Sequence, residues 1–471
     1  MREFEAVIPA TTVPPRGSGA RVVPMAPVPA AKFGIELNEG QQAALKEILA
    51  AIESGNFHFH LLTGHAGSGK TTLIQVLAGI LLERGFAVVV TAPTHKAVEV
   101  LARKLLTAGI HVPTITIHSL LNLAPMPRGD RQIFERRKNA PPVLADVVVV
   151  DESSMVGEAL LGHIRRWLPN TFVLFVGDPA QLPPVGEAAS KTFDTPARSH
   201  LATVVRQAAG NPILAAAHII RASQGGPAMD WSWVASANLP PHGVFRPGPA
   251  GDQWLRRAFT SSEFKADPDT FRYLCWTNQR VAEVNRKIRV WIYGNDIPMP
   301  FMPGERALIR APIVADGKIL FATNEEAGVV TIARDVFRHE FAQRGDLAGW
   351  TGIVPSWAVM LRADDGREHL VHAIRDDGAY AAVLARVADE AAIARKRWHE
   401  LHEFKSGMAQ LQAIYVLTVH NSQGSTFRNS FIDIPDIARR ASSNVLEAKQ
   451  LFYVAATRPT HGLFLIEDQT R

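Results

Sequence analysis

The chain of 471 residues has a single cysteine, Cys275. One thiol allows no disulfide within the chain and no cysteine-based zinc cluster, which fits a reducing compartment. Cys275 stands in FRYLCWTNQR, a stretch that reads as a strand with the thiol as a small core group. Long apolar runs are also missing. No stretch reaches the roughly 18 residues that a membrane helix needs, so no membrane partner is expected. The first residues carry Glu3 and Glu5 among scattered prolines and lack the apolar centre of a secretory signal. The expected location is the cytoplasm, for a bacterial or phage-encoded protein. Charge of one sign is scarce too: 50 Lys and Arg stand against 45 Asp and Glu, a net charge of +5. The sequence pI is about 9.3. That mild excess suits a polyanionic partner without requiring one. With 20% charged and 47% hydrophobic residues, the chain is no disordered polyelectrolyte and has material for more than one core.

Residues 1–33 hold six prolines between Ala, Val and Gly and read as an extended tail. From Leu37 onward strand and helix patterns alternate. FHFHLLT (57–63) reads as a strand and KTTLIQVLAGILLERG (70–85) as a helix. Leu73, Leu77, Ile80 and Leu81 form its stripe and Gly85 its stop. The apolar runs at 86–92, 146–152 and 171–178 have the length of buried parallel strands. Alternation of this kind predicts a doubly wound α/β domain at 34–205. A second α/β block is expected over 206–318 and 411–471, with strands at 271–277, 413–419 and 462–468 and a helix near 445–457. Between them, 319–410 reads as a β-rich insertion with a charged helix at about 378–404. Residues 121–142, with five basic and two acidic side chains, read as a solvated loop or a projecting β-hairpin.

GHAGSGKT, Gly64 to Thr71, matches the phosphate-loop pattern G-x-x-x-x-G-K-[ST], and it follows a strand and opens a helix. Its glycines let backbone N–H groups wrap a phosphate, and the helix N-terminus adds its positive end. Lys70 is expected to reach the β- and γ-phosphates of ATP, and Thr71 to ligate Mg²⁺. In VVVVDES, Asp151 ends a buried strand where a carboxylate can hold that ion. Glu152 beside it can polarise a water. These parts define a phosphate-loop nucleoside triphosphatase that could equally power a kinase, a transporter or a motor.

Further polar clusters end the other strands: TAPTHKA (91–97), GDPAQLPPVG (177–186), CWTNQR (275–280) and TVHNSQG from Thr418. Ligands of open α/β sheets bind at that edge. Two such edges imply a cleft, and VVRQ (204–207) and FYVAATR (452–458) each offer an arginine to cross it.

Taken in order, LNEGQQ, GHAGSGKT, TAPTHKA, TITIHSL, VVVVDESSM, GDPAQLPPV, VVRQ, CWTN, TVHNSQGSTF and LFYVAATR resemble the ten motifs of superfamily 1 helicases. The spacing is most similar to the 5′-to-3′ branch, the phage Dda-type and RecD-like enzymes, over about 33–471. The resemblance implies two RecA-like motor domains with a β-hairpin pin in the first and an SH3-like β domain in the second. It implies ATP and Mg²⁺ as cofactors, and single-stranded DNA and fork duplex as partners. It assigns Gln41 to the adenine, Gln181 to sensing the γ-phosphate, and Arg206 and Arg458 to caging it. Gly64, Ala66, Gly67, Ser68, Gly69, Lys70, Thr71, Thr72 and Gly424 would contact the nucleotide. Pro93, Thr94, His95, Thr116, His118, Thr277, Asn278, Thr418, His420 and Ser422 would line the single-strand path. Trp276 is read both as a base-stacking group and as a core residue, and Phe134 as the aromatic group of the pin. Trp291, Trp350, Trp357 and Trp398 are expected to pack.

Two departures stand out. Asn421 occupies a position where the family usually has Lys, and Pro459 directly follows Arg458. The expected activity is ATP-dependent unwinding with 5′-to-3′ translocation on single-stranded DNA. The alternatives are a protein-displacing translocase with weak unwinding and an RNA-directed motor of the same superfamily. A single chain holds a complete motor, so a monomer suffices; single-strand-binding or replisome proteins are candidate partners.

Overall fold

The computed structural model describes residues 34–56, 58–128, 131–202, 210–226, 234–315, 318–341, 351–393 and 397–467. The proline-rich stretch at 1–33 lies outside them, as do Arg206 and Trp350.

The expected α/β architecture holds. The first sheet orders its strands Thr114–Thr116, Val88–Ala92, Val147–Val150, Phe172–Gly177, Phe59–Gly64 and Arg198–Leu201. Every adjacent pair is parallel. The valine run shows why a strand forms there. Successive side chains point to opposite faces. Val147 and Val149 join the core beneath the Lys70–Glu83 helix, with Leu73 and Leu77. Val148 and Val150 join the opposite core with Leu161 and Ile164. A strand covered on both faces needs a continuous apolar run rather than alternation.

The Lys70–Glu83 helix buries the expected Leu73, Leu77, Ile80 and Leu81, but also Ile74, Val76 and Ala78. Its C-terminal Gly85 takes φ +77°, a left-handed value that glycine adopts without strain.

The second sheet runs Val416–Thr418, Phe271–Cys275, Phe427–Asp433, Pro459–Ile466, His242–Phe245 and Ala237–Leu239, and only the last pair is antiparallel. The sequence pattern marks neither Phe427–Asp433 nor the last two strands. The third sheet is built on the long antiparallel pair Glu326–Glu340 and Thr351–Ala363. It differs in extent from the expected 319–410, because Arg306–Ile309 and Leu411–Ala413 belong to it. Both segments are too short to carry a pattern of their own. The single charged helix expected at 378–404 is two helices, Asp377–Ile393 and Arg397–Gly407. They close a satellite core around Phe341, Val354, Val387 and Phe404.

Residues Leu123–Arg128 and Arg131–Arg136 form an antiparallel hairpin on the first domain. Its base is held by the Arg136 guanidinium 4.4 Å above the Trp167 ring. The Arg397–Gly407 helix runs beside the hairpin's first strand.

Candidate nucleotide and nucleic-acid site

The phosphate loop leaves the sheet at Gly64, where a Cβ would stand 2.5 Å from Ser68 Oγ. Gly67 and Gly69 take φ of +78° and +82°, so the tight wrap depends on residues without a Cβ. Lys70 Nζ donates to the carbonyls of Gly64 at 2.6 Å and His65 at 3.1 Å, folded back over the loop it would share with a phosphate. Thr71 and Thr72 follow in the first turn of the helix.

Asp151 stands at the end of the Val147–Val150 strand. Burial in the cleft, with Glu152 beside it, raises its carboxyl to about 6. Glu152 itself takes φ +51°, an uncommon conformation for a side chain of its size. A carboxylate strained against burial, beside the phosphate-loop helix, is a donor set that fits a hard divalent cation. No cluster of three or more His, Cys, Asp or Glu occurs among the described residues, so protein ligands alone would not complete the ion's shell.

The second domain reaches this site along one seam. Arg458 is 5% exposed. Its guanidinium donates to the carbonyls of Val454 and Ser425 and to the Thr457 hydroxyl. Burial lowers its pKa, while the charge of Glu152 works in the opposite direction. The helix before it, Val445–Ala456, stops with Thr457 as its cap, and Pro459 opens the next strand at once. Proline therefore fixes where the arginine leaves the helix.

Beside it, Gln423 Nε2 donates to Ser154 Oγ at 3.2 Å and to Gln181 Oε1 at 3.3 Å. The Tyr453 hydroxyl donates to Asp178 Oδ2 at 2.6 Å and accepts from the Ala66 N–H at 3.0 Å. Gln423, Tyr453, Asp178 and Ser154 were not singled out from sequence. They lie inside motifs quoted above, but only the fold reveals their partners.

Several expected roles meet a different geometry. Gln41 spends its amide on the capping box with Asn38 and on the carbonyls of Ser68 and Gly69, so here it braces the phosphate loop. Gly424, with φ +78°, faces Thr94 and Ala97 of the first domain. A Cβ would stand 2.9 Å from Ala97 Cβ. Its lack of a side chain permits that close approach.

Four hydroxyls expected along the DNA path are committed locally. Thr277 donates to Asp436 and caps its helix by accepting from Arg280 N–H. Ser422 is fully buried and donates to Val419 O at 2.8 Å. Thr418 is buried and accepts from Asn421 N–H. Thr116 is buried and caps the turn at Ile117. Hydroxyls at strand-to-helix turns satisfy the chain's own backbone first. Thr94 also caps, accepting from Ala97 N–H.

His95 and Asn278 are exposed, and Pro93, His118 and His420 are half-buried. Burial lowers the pKa of both His118 and His420, so they meet a ligand as neutral rings near neutral pH. Trp276 packs against the second-domain core with Arg440 over its ring at 5.6 Å. Phe134 is 48% exposed and lies 4.9 Å from the His118 ring. Its cross-strand partner is Pro125, three pairs from the Arg128–Arg131 end of the hairpin. The ring thus sits midway along the hairpin.

Known proteins resemble this chain over both halves. The chain matches the family described as "AAA domain" over 36–235 and that described as "UvrD-like helicase C-terminal domain" over 413–466. It is 26% identical over 462 residues to the ATP-dependent DNA helicase dda of Enterobacteria phage T4, covering 92% of this chain and 99% of that one. It is 38% identical over 161 residues to the ATP-dependent RecD2 DNA helicase of Deinococcus radiodurans, covering 34% of this chain and 21% of that one. A solved structure of Pif1 helicases at forked DNA overlays with TM-score 0.47 at 17% identity, covering 91% of this chain and 92% of that one. With its motifs in order and the phage relative matched nearly end to end, the chain is similar to the superfamily 1 helicases of the Dda-type and RecD-like kind.

Proposed function

We propose that this chain hydrolyses ATP to move 5′ to 3′ along single-stranded DNA and to part the duplex at a fork. One observation carries the reading: Arg458 is a buried guanidinium with only neutral hydrogen-bond partners, and it feels the charge of Glu152 in the first domain. A buried cation calls for an anion, and a γ-phosphate in the cleft would supply it. The related enzymes named above support the choice of DNA.

In this reading Lys70 releases the carbonyls of Gly64 and His65 to meet phosphate oxygens, and Glu152 orients a water. Gln181 and Arg458 sit where negative charge builds on the γ-phosphate. Thr71 and Asp151 would hold Mg²⁺, which would neutralise phosphate charge. Arg206 is proposed as a second arginine of the cage. The domains built on the first and second sheets act as the two halves of the motor. His95, Asn278, His118 and His420 offer neutral polar contacts to the strand, as a sequence-indifferent motor needs. The hairpin acts as the pin, braced by the SH3-like domain and its second helix. A single chain suffices.

Two assays test the reading. Lys70→Ala is expected to abolish ATP turnover, and retained turnover overturns the nucleotide site. Forks with only a 5′ tail are expected to unwind and those with only a 3′ tail are not; the reverse preference overturns the polarity.

A further inference from the structure

Tyr453 is fully buried, yet its hydroxyl belongs to neither domain's interior. It projects from the second-domain helix Val445–Ala456 and makes both of its hydrogen bonds to the first domain. One goes to Asp178, the carboxylate that opens the GDPAQ motif, and the other comes from the N–H of Ala66 inside the phosphate loop. Burial and the charge of Asp178 push the phenol well above its ordinary pKa, so the hydroxyl keeps its proton and donates a hydrogen bond to the carboxylate. Asp178 is fully buried and is anchored further by Ala180 N–H at 3.0 Å and by Arg221 of the second domain at 3.6 Å. Three residues beyond Asp178 is Gln181. Five residues beyond Tyr453 is Arg458.

We propose that the Tyr453 hydroxyl is a positioning group for ATP hydrolysis. By tying its helix to Ala66 and Asp178, it sets where Arg458 stands relative to the phosphate loop when the domains close. This rests on the hydrolysis reading above and adds a residue to which no role has been assigned. The physical case is one of leverage. Arg458 hangs from the end of the helix by bonds to that helix's own carbonyls and to Ser425, so its guanidinium goes where the helix goes. Tyr453 is the point at which that helix bonds to the phosphate loop itself. A charge that acts on a transition state is useful only when placed within a few tenths of an ångström, because misplacement costs rate rather than binding. The ring packs among second-domain core residues, so the phenylalanine variant keeps the packing and removes only the two bonds.

The test is Tyr453→Phe in the full chain, measured by ATP turnover with saturating single-stranded DNA. Expected are a kcat about tenfold lower, a KM for ATP that stays within about twofold and an unchanged affinity for single-stranded DNA. On an Arg458→Ala background the same change is expected to cost nothing further, because the hydroxyl acts through that arginine. A wild-type kcat in Tyr453→Phe overturns the proposal, and so does an additive loss on the Arg458→Ala background. If Tyr453→Phe fails to fold, Asp178→Asn weakens the same bond and is held to the same kcat-against-KM split. Retained turnover in Lys70→Ala would instead bring down the hydrolysis reading, so the two failures are distinguishable.

Discussion

Gln423 of the second domain and Gln181 of the first meet directly, with Nε2 of one 3.3 Å from Oε1 of the other. Gln423 lies in the polar turn that follows the Val416–Thr418 strand, between His420 on the proposed strand path and Gly424 against the first domain. The turn therefore touches the motif proposed to sense the γ-phosphate. Gln423→Ala is expected to leave basal ATP turnover near wild type and to cut its stimulation by single-stranded DNA several-fold. A lost buried side-chain bond is worth roughly 1 kcal/mol. Turnover with and without DNA checks it, and undiminished stimulation would sink the coupling role.

Glu152→Gln is expected to lower kcat by about 10² to 10⁴-fold while nucleotide binding persists, because a positioned base contributes on that scale. Fluorescent-nucleotide titration beside turnover separates the two. Equal loss of binding and turnover would mean that Glu152 holds the loop rather than the water.

Arg458→Ala is expected to reduce kcat by about 10³ to 10⁵-fold, as for other arginines that complete a γ-phosphate site. A purely structural arginine would instead lower the melting temperature and leave the kcat of the folded fraction intact. Turnover normalised to folded protein decides between them.

Thr277→Ala is expected to cost about 1 kcal/mol of stability through the lost helix cap, with Thr277→Ser restoring it. Ser422→Ala is expected to leave affinity for single-stranded DNA unchanged, since its hydroxyl is buried on Val419 O. Fluorescence anisotropy checks both variants. A marked loss of affinity in Ser422→Ala would return that hydroxyl to the strand path.

Burial holds His118 and His420 below their ordinary 6.5, aided at His118 by His163 and His95 and opposed at His420 by Glu447. The unfolded chain therefore binds protons first as pH falls. Stability from these rings is present above pH 6.5 and is lost as pH drops through their lower folded values. Melting temperature is expected to fall below that point, and the fall to be shallower in His118→Gln with His420→Gln. An unchanged pH profile in that variant would show that other groups carry the acid sensitivity.

Several features were legible from the residues alone. Four consecutive valines before Asp151 can only be a strand covered on both faces. The glycines of GHAGSGKT belong to a loop that no other residue type could wrap. Proline after Arg458 ends a helix wherever it falls. In each case a local steric or hydrophobic rule leaves one outcome.

Which hydroxyls face a ligand was not legible. Thr277 and Ser422 look identical in sequence whether they hold a phosphate or their own turn, and only the backbone around them shows the partner. The extent of the third sheet was hidden as well, because Arg306–Ile309 and Leu411–Ala413 are strands only by virtue of their neighbours.

The sequence by itself determined the chemistry of the phosphate loop, the order of the motifs and the presence of two α/β blocks, because these follow from spacing, periodicity and backbone sterics within short windows. The tertiary structure alone decided that Tyr453 reaches Ala66 and Asp178, that Gln423 reaches Gln181 and that Gly424 lies against Thr94. Those contacts join residues hundreds of positions apart. Their partners are chosen by how two domains pack, and no local rule encodes that choice.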